Sequence, residues 1–287
     1  MATKLKRHTA PAAVAGKNGY SLIGSEKFRQ LYAALLKCEL LDEHLSGLSS
    51  NGKNDKPGLF AATVGLTLDL EREDTVVLTP RTFAANLVKG VPTSVLLHHH
   101  SKGGGNGAGF TYGELSALTA ASPAASTQLG LATGAALANK LAGNRRVAVA
   151  FIEGDAGVLR DNREALELAA AHKLPIVYVI QTEVDRRDEK FLAKMSARFP
   201  VITVDAHDVV AIYRVAQESI ARTRDGGPVL VVCVPYAHGR PAGEATAIIE
   251  QYLAGKKLFQ ERWRDDALAE FKAELAGACL PETDPLA

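Results

Sequence analysis

Short, continuous runs of apolar residues, mostly valine and isoleucine, mark the second half of the chain at 147–152, 176–180 and 229–234. Runs of this length without polar alternation are typical of parallel β-strands that are buried on both faces. Residues with helical spacing separate the runs, over 162–172 and, after a short strand at 201–204, over 208–224. This alternation predicts an α/β fold with a mostly parallel, doubly wound sheet and flanking helices.

The remaining pattern predicts helices and loops around that sheet. In chain order we expect helix 26–48, loop 49–58, helix 59–70, strand 75–78, helix 82–89, a long mobile loop 98–109 and helix 128–141. An amphipathic helical stretch then covers 244–277. We therefore expect an N-terminal arm over 1–25, one α/β domain over 26–243, and a C-terminal helical tail over 244–287 that packs on the domain or on a partner.

Composition narrows the class of protein without naming a function. The 287 residues carry 33 basic and 32 acidic side chains, a formal net charge of +1, so no basic footprint for nucleic acid or an anionic membrane is expected. No apolar run approaches the roughly 18 residues that a membrane-spanning helix needs. Three cysteines, with no CxxC pair, argue against a disulfide framework. A soluble protein of the cytoplasm is the expectation.

Polar residues follow two neighbouring predicted strands at their ends. The first strand runs into Glu153-Gly154-Asp155-Ala156-Gly157, and the next into Gln181-Thr182-Glu183. In open parallel sheets ligands bind at the carboxyl ends of the strands, where glycines admit phosphate oxygens and carboxylates hold divalent cations. Asp155 and Glu183 could share one Mg²⁺. The alternative is an ordinary turn in which Asp155 caps the following helix.

The stretch 147–180 resembles thiamine-diphosphate-binding enzymes, in particular the alpha subunit of the dehydrogenase component of 2-oxo acid dehydrogenase complexes of the pyruvate or branched-chain type. The matching motifs are Gly154-Asp155, Glu164-Ala165-Leu166, Ala169-Ala170 and Lys173-Leu174-Pro175. Further matches follow the family's order at 73–81, 90–92, 134–141, 204–209 and 226–228. The resemblance extends from residue 26 to the C-terminal helices.

This resemblance implies thiamine diphosphate, held by Mg²⁺ between an alpha and a beta chain, and oxidative decarboxylation of a 2-oxo acid with acyl transfer to a lipoyl arm. It implies that Arg81, Gly154, Asp155, Ala156 and Gly157 bind the cofactor. Asp155 and Glu183 are the implied metal ligands. The implied partner is a beta-type subunit, with self-association as the alternative.

Several functional positions of the family differ in this chain. Ala156 stands where the family has a glycine, Pro80 precedes Arg81 in place of a tyrosine, and Phe83 replaces a histidine that serves the active site. A second catalytic histidine of the family has one counterpart here, His238, which is either displaced catalytic machinery or a loop residue. The loop interpretation is preferred.

Two hypotheses follow from this mixture of matches and departures. In the first, the chain is an alpha-type subunit of a thiamine-diphosphate-dependent 2-oxo acid dehydrogenase, an oxidoreductase. In the second, it is a non-catalytic paralogue of that subunit with a structural, regulatory or repurposed ligand-binding role, because scaffold motifs match while catalytic positions differ.

Overall fold

The computed structural model describes residues 23–48, 59–101, 117–119, 125–182, 186–235 and 245–278. Its strands are β1 (Thr75–Leu78), β2 (Ala117–Thr119), β3 (Ala148–Ile152), β4 (Ile176–Gln181), β5 (Val201–Asp205) and β6 (Val229–Val234). Its α-helices are α1 (Ser25–Leu48), α2 (Phe60–Thr67), α3 (Ala85–Val88), α4 (Thr93–Ser101), α5 (Ala125–Leu141), α6 (Ala156–Asp161), α7 (Arg163–Ala171), α8 (Arg186–Ser196), α9 (Val209–Arg224), α10 (Ala245–Gly255) and α11 (Arg262–Ala278). A 3₁₀ turn, Pro80–Thr82, follows β1.

The six strands form one parallel sheet in the order β2-β1-β3-β4-β6-β5. The predicted α/β class with a parallel sheet is confirmed. From β1 the sheet extends one way to β2 and the other way to β3, so the strand order reverses between β1 and β3. Ligands of doubly wound sheets bind at such a reversal, outside the carboxyl ends of the strands.

Both faces of the sheet are covered, as the continuous apolar strands predicted. Alternate residues of β3 point to opposite sides, with Val149 and Phe151 in one core cluster and Ala150 and Ile152 in the other. Helices α1, α2, α9, α10 and α11 pack on the first side, and α5, α7 and α8 pack on the second. The central strands are therefore sealed from water, and only their ends can carry polar chemistry.

Helices α2 and α9 approach each other closely at a glycine. A Cβ on Gly65 would lie 2.7 Å from Cγ2 of Ile212 and 3.2 Å from the backbone nitrogen of Tyr213. Asp208 begins α9 by accepting hydrogen bonds from the N–H groups of Val210 and Ala211, at 3.1 and 2.9 Å. The glycine and the cap thus fix how α9 lies against α2.

A buried ionic network joins β1, β3 and α9 at the amino edge of the sheet. The fully buried carboxylate of Asp74 accepts hydrogen bonds from the Val147 N–H (2.8 Å) and from both terminal nitrogens of Arg224. The ammonium of Lys89 donates to the backbone carbonyls of Glu71, Arg72 and Asp74. Burial lowers the pKa of Lys89 to about 8, although nearby Asp74 and Glu73 act in the opposite direction.

Two predicted boundaries are wrong. Residues 98–101 of the predicted loop 98–109 belong to α4; residues 102–109 lie outside the described residues. The predicted helix 82–89 is a 3₁₀ turn followed by the short α3, because Thr79 and Thr82 cap each other through the Thr79 N–H and the Thr82 hydroxyl (2.9 Å). The predicted helical stretch 244–277 is confirmed and consists of two helices, α10 and α11. The division into arm, domain and tail stays a prediction.

No helix among the described residues is both long enough and apolar enough to cross a lipid bilayer.

Candidate functional site

A sharp glycine turn at the carboxyl end of β3 forms the centre of the site. Gly154 has a φ of +127°, a backbone conformation that residues with side chains rarely adopt. A Cβ there would also lie 2.6 Å from Cγ2 of Val158, so the position is closed to larger residues. The turn leaves Asp155 exposed at the edge of the sheet.

Asp155 caps α6 and still has an oxygen to offer. Its Oδ1 accepts a hydrogen bond of 2.8 Å from the Gly157 N–H. Among the described residues, Oδ2 has no hydrogen-bond partner. The capping alternative considered for this aspartate is confirmed, and it leaves half of the carboxylate available to a cation.

Gly157 packs closely against a carboxylate and a guanidinium, which leave no room for a side chain at this position. A Cβ at this position would lie 2.7 Å from Asp155 Oδ1 and 3.1 Å from Arg160 Nη2. The two side chains therefore face each other across the glycine. No direct ion pair joins them among the described side chains, since Arg160 pairs through Nη1 with Asp188 of α8.

A buried glutamine from α5 reaches the same strand end. The Oε1 atom of Gln128 accepts a 3.0 Å hydrogen bond from the Glu153 N–H, directly before the glycine turn. Its Nε2 is buried and has no hydrogen-bond partner in the described part of the chain. An unsatisfied buried donor costs about 1–3 kcal/mol, so this amide is a candidate ligand contact.

Arg81 lies at the same edge of the sheet, after β1. Strand β1 pairs directly with β3, with Val77 opposite Ala150, so the two strands end side by side. The backbone carbonyl of Arg81 accepts a 3.0 Å hydrogen bond from the Leu59 N–H, and this bond anchors the 3₁₀ turn. Arg81 and Asp155 therefore flank the point where the strand order reverses.

Phe83, where the family resemblance implied a histidine, stacks on a histidine of α4. The ring centroids of Phe83 and His99 are 6.1 Å apart, with 16° between their planes. The Phe83 carbonyl accepts a 3.0 Å hydrogen bond from the side-chain amide of Asn86. Phe83 is packed in place, and it offers no group that exchanges protons.

The remaining predicted site residues are Glu183, His238 and Ala156. Glu183 and His238 lie outside the described residues, so the second metal ligand and the weak catalytic candidate stay predictions. Ala156 is the first residue of α6, although its side chain is not described. Within the described part of the chain, no cluster of three or more His, Cys, Asp or Glu residues is arranged to hold a metal ion.

Arg160 and Gln128 are the two functional candidates that sequence reasoning missed. Arg160 stands five residues after Asp155, in a stretch without a recognisable motif. Gln128 lies in a helix rich in small residues, 25 positions before Glu153, and only the fold brings the two together.

Known proteins resemble this chain over most of its length. The family model described as "Dehydrogenase E1 component" matches residues 56–276. Subunit alpha of acetoin:2,6-dichlorophenolindophenol oxidoreductase from Cupriavidus necator is 30% identical over 246 residues, covering 77% of this chain and 72% of that one. Subunit alpha of 3-methyl-2-oxobutanoate dehydrogenase from Mycobacterium tuberculosis is 30% identical over 233 residues, covering 75% and 62%.

The acetoin oxidoreductase alpha subunit of Bacillus subtilis is 32% identical over 166 residues, which cover 54% of this chain and 47% of that relative. The match thus spans about half the length of that relative. Because the family match covers well over half of this chain, and the identities stay near 30%, the protein belongs to the dehydrogenase E1 component family, as a divergent member related to its alpha subunits.

Proposed function

We propose that this chain is an alpha-type subunit of a thiamine-diphosphate-dependent 2-oxo acid dehydrogenase. One observation carries the proposal. Asp155 stands exposed on a glycine turn beside the reversal point of the sheet, with one carboxylate oxygen engaged in the helix cap and the other available. That placement suits a magnesium ligand that must meet a diphosphate.

The residues present fit a diphosphate-bearing cofactor in two respects. Gly157, which has no side chain, lets the Asp155 carboxylate and the Arg160 guanidinium both lie close to the backbone of the turn, where a Cβ would stand 2.7 Å from Asp155 Oδ1. The buried amide nitrogen of Gln128, which has no hydrogen-bond partner among the described residues, offers a donor at the same strand end. Both features support binding of an anionic group there, with Arg81 supplying a further cation from the end of β1.

In this proposal thiamine diphosphate, when bound, would supply the nucleophile and the electron sink for decarboxylation of a 2-oxo acid. The residues of this chain bind and orient. Asp155 and Glu183 would hold Mg²⁺, and Arg81 would hold the diphosphate through its fork of N–H donors. Proton exchange would fall to a partner chain, because Phe83 takes the place of the histidine that the resemblance implied.

The Phe83 contact also favours a second candidate, a non-catalytic paralogue. The Phe83 ring stacks on His99 and the Asn86 amide binds the Phe83 backbone carbonyl, so the position is built to pack rather than to react. Under this candidate the chain would assemble with a partner, or bind a ligand, without thiamine-dependent turnover. Appreciable turnover with a matched beta chain would exclude it.

Asp155→Asn tests the binding site without removing the helix cap, since asparagine caps helices about as well as aspartate. Losing the anionic metal ligand should weaken binding of Mg²⁺-thiamine diphosphate by about 100-fold or more, because cation affinity follows ligand charge. Isothermal titration calorimetry, with and without Mg²⁺ and with a candidate beta chain, measures it. Asp161→Asn, an exposed aspartate of the same helix, is the control. Equal binding by wild type and Asp155→Asn would contradict the proposal.

A partner surface adjoins the site along α5. The exposed side of this helix carries small residues and leucines: Thr127, Gly130, Leu131, Gly134, Ala138 and Leu141. Leu131 is 41% exposed and Leu141 is 79% exposed. Because Gln128 of the same helix touches the strand end, a beta-type subunit or a second copy seated on this face would also border the site.

Gly134→Leu should block that association and leave the fold intact. A Cβ at this position meets nothing within 4 Å, and replacing a helical glycine improves helix propensity by up to about 1 kcal/mol. We expect an unchanged or higher melting temperature together with a shift to monomer in sedimentation velocity, alone or mixed with a beta chain. Lys190→Leu, which adds a leucine to the exposed side of α8, is the matched control. Association retained by Gly134→Leu would place the interface elsewhere.

A further inference from the structure

A cleft of about 620 Å³ that is open to solvent lies between α1, α11 and the segment that joins α3 to α4. Small-molecule sites usually enclose about 300–1,000 Å³ and combine a mostly apolar lining with a few polar groups. The apolar part of this lining consists of Ala33, Ala34, Leu68, Leu87, Val88 and Val91. The cleft therefore has the size and the lining of a site for a small ligand with an apolar part.

The cleft is separate from the candidate site. Lys89 directly follows Val88 of the lining, and its ammonium donates to three backbone carbonyls within residues 71–74, immediately before β1 begins. The cleft thus adjoins the amino end of β1, whereas Arg81 and Asp155 follow the carboxyl ends of their strands. A ligand in the cleft would leave the candidate site open.

Opposite charges stand on the two long helices that border the cleft. Arg29 of α1 uses Nε and Nη2 for hydrogen bonds of 3.1 and 3.0 Å to Glu26, and its Nη1 makes none among the described residues. Glu270 of α11 uses Oε2 for an ion pair of 2.9 Å with Lys37, and its Oε1 makes no such contact in the described part of the chain. The Arg29 and Glu270 side chains are 43% and 61% exposed, so a ligand can reach both.

Arg29 and Glu270 influence each other, although no direct ion pair joins them among the described side chains. Glu26 is the main cause that raises the pKa of Arg29, and the charge of Glu270 raises it further. Lys37 is the main cause that lowers the pKa of Glu270, and the charge of Arg29 lowers it further. The cleft therefore presents one cationic and one anionic group that lie near each other and that each retain a free position for a ligand.

We propose that this cleft binds an α-amino acid that has an apolar side chain. The ligand ammonium pairs with Glu270, and the ligand carboxylate pairs with Arg29, whose fork of N–H donors suits a carboxylate. The apolar side chain lies against the alanine, leucine and valine side chains of the lining, and its removal from water adds affinity. A ligand with a single charge would satisfy only one of the two charged groups.

Ligand-observed NMR and calorimetry on the full chain test the site with L-leucine as the probe. We expect saturable binding with a dissociation constant of about 1 mM or below. Glycine has both charges but no side chain, whereas 4-methylpentanoate lacks the ammonium of leucine and 3-methylbutylamine lacks its carboxylate. Each of the three should bind about 10-fold or more weakly than leucine. No saturable binding of leucine, or equal affinity for leucine and any one of the three, would overturn the inference.

Arg29→Gln and Glu270→Gln locate the binding in the cleft. Both side chains are exposed, so each substitution should leave the melting temperature nearly unchanged while it weakens leucine binding by about 10-fold or more. Arg214→Gln and Glu218→Gln, at exposed positions of α9 outside the cleft lining, are the matched controls and should bind like wild type. Wild-type affinity for leucine in both cleft variants would overturn the inference, and it would leave the proposed function at Asp155 untouched.

Discussion

Asp74→Ala should lower the free energy of unfolding by about 3–5 kcal/mol, because it removes the buried carboxylate of an ion pair and leaves Arg224 with the exposed carboxylate of Glu71, at 3.4 Å, as its remaining ionic partner among the described residues. Asp74 is fully buried and bonds to both terminal nitrogens of Arg224, whose side chain is 14% exposed. The same carboxylate satisfies the Val147 N–H, which would lose its acceptor. Chemical denaturation followed by circular dichroism measures the loss.

The neighbouring glutamate provides the comparison. Glu73 is only partly buried and makes no hydrogen bond or ion pair with the described residues, so Glu73→Ala should change stability by about 0.5 kcal/mol or less. The loss of Asp74 also removes a carboxylate that keeps Lys89 protonated in its buried position. A similar small effect for both alanine variants would show that Arg224 finds another partner and that the network contributes little.

Gly157→Ala should weaken binding of Mg²⁺-thiamine diphosphate by about 100-fold or more, because its methyl group would displace the Asp155 carboxylate that we propose as a magnesium ligand. The methyl carbon would stand 2.7 Å from Asp155 Oδ1, closer than side-chain carbons are found, so either the carboxylate or Arg160 must move. The fold should tolerate the change. Alanine favours the helix by up to about 1 kcal/mol, which offsets a weakened cap of about the same size.

Calorimetry and thermal melting on the same preparation separate the two effects. Gly255→Ala, at the last residue of α10 where a Cβ meets nothing within 4 Å, controls for adding a methyl group in place of a helical glycine. If Gly157→Ala binds like wild type, the position of the Asp155 carboxylate does not determine ligand binding.

The strands of the fold were predictable, because a buried parallel strand needs a continuous apolar run. Strand β3 and strand β6 were identified within one residue of their observed ends. Strand β2 was not, since three residues make no pattern that a periodicity can detect. Helix α4 was missed because three histidines and a glycine-rich stretch follow its apolar residues, although α4 packs against α11 and α1.

Some residues of the candidate site could be predicted from a local sequence pattern, whereas others depend on contacts between distant elements. Gly154 and Asp155 were found because a strand followed by a glycine and an aspartate is a local pattern with a physical reason. Gln128 and Arg160 were not, since each acquires its role from another element: Gln128 from the end of β3, and Arg160 from Asp188 of α8. Sequence spacing carries no record of such contacts.

The amino ends of β1 and β3 are anchored by an ionic network, whereas their carboxyl ends carry the candidate site. The two sets of residues can therefore change independently during evolution. Asp74 and Arg224 secure the strands at one edge, whereas Arg81, Phe83 and Asp155 stand at the other. Substitutions at the carboxyl edge therefore leave the anchoring network untouched. The scaffold can therefore accept phenylalanine at position 83, where the family resemblance implies a histidine, and changes at this edge can alter ligand preference while the protein keeps folding.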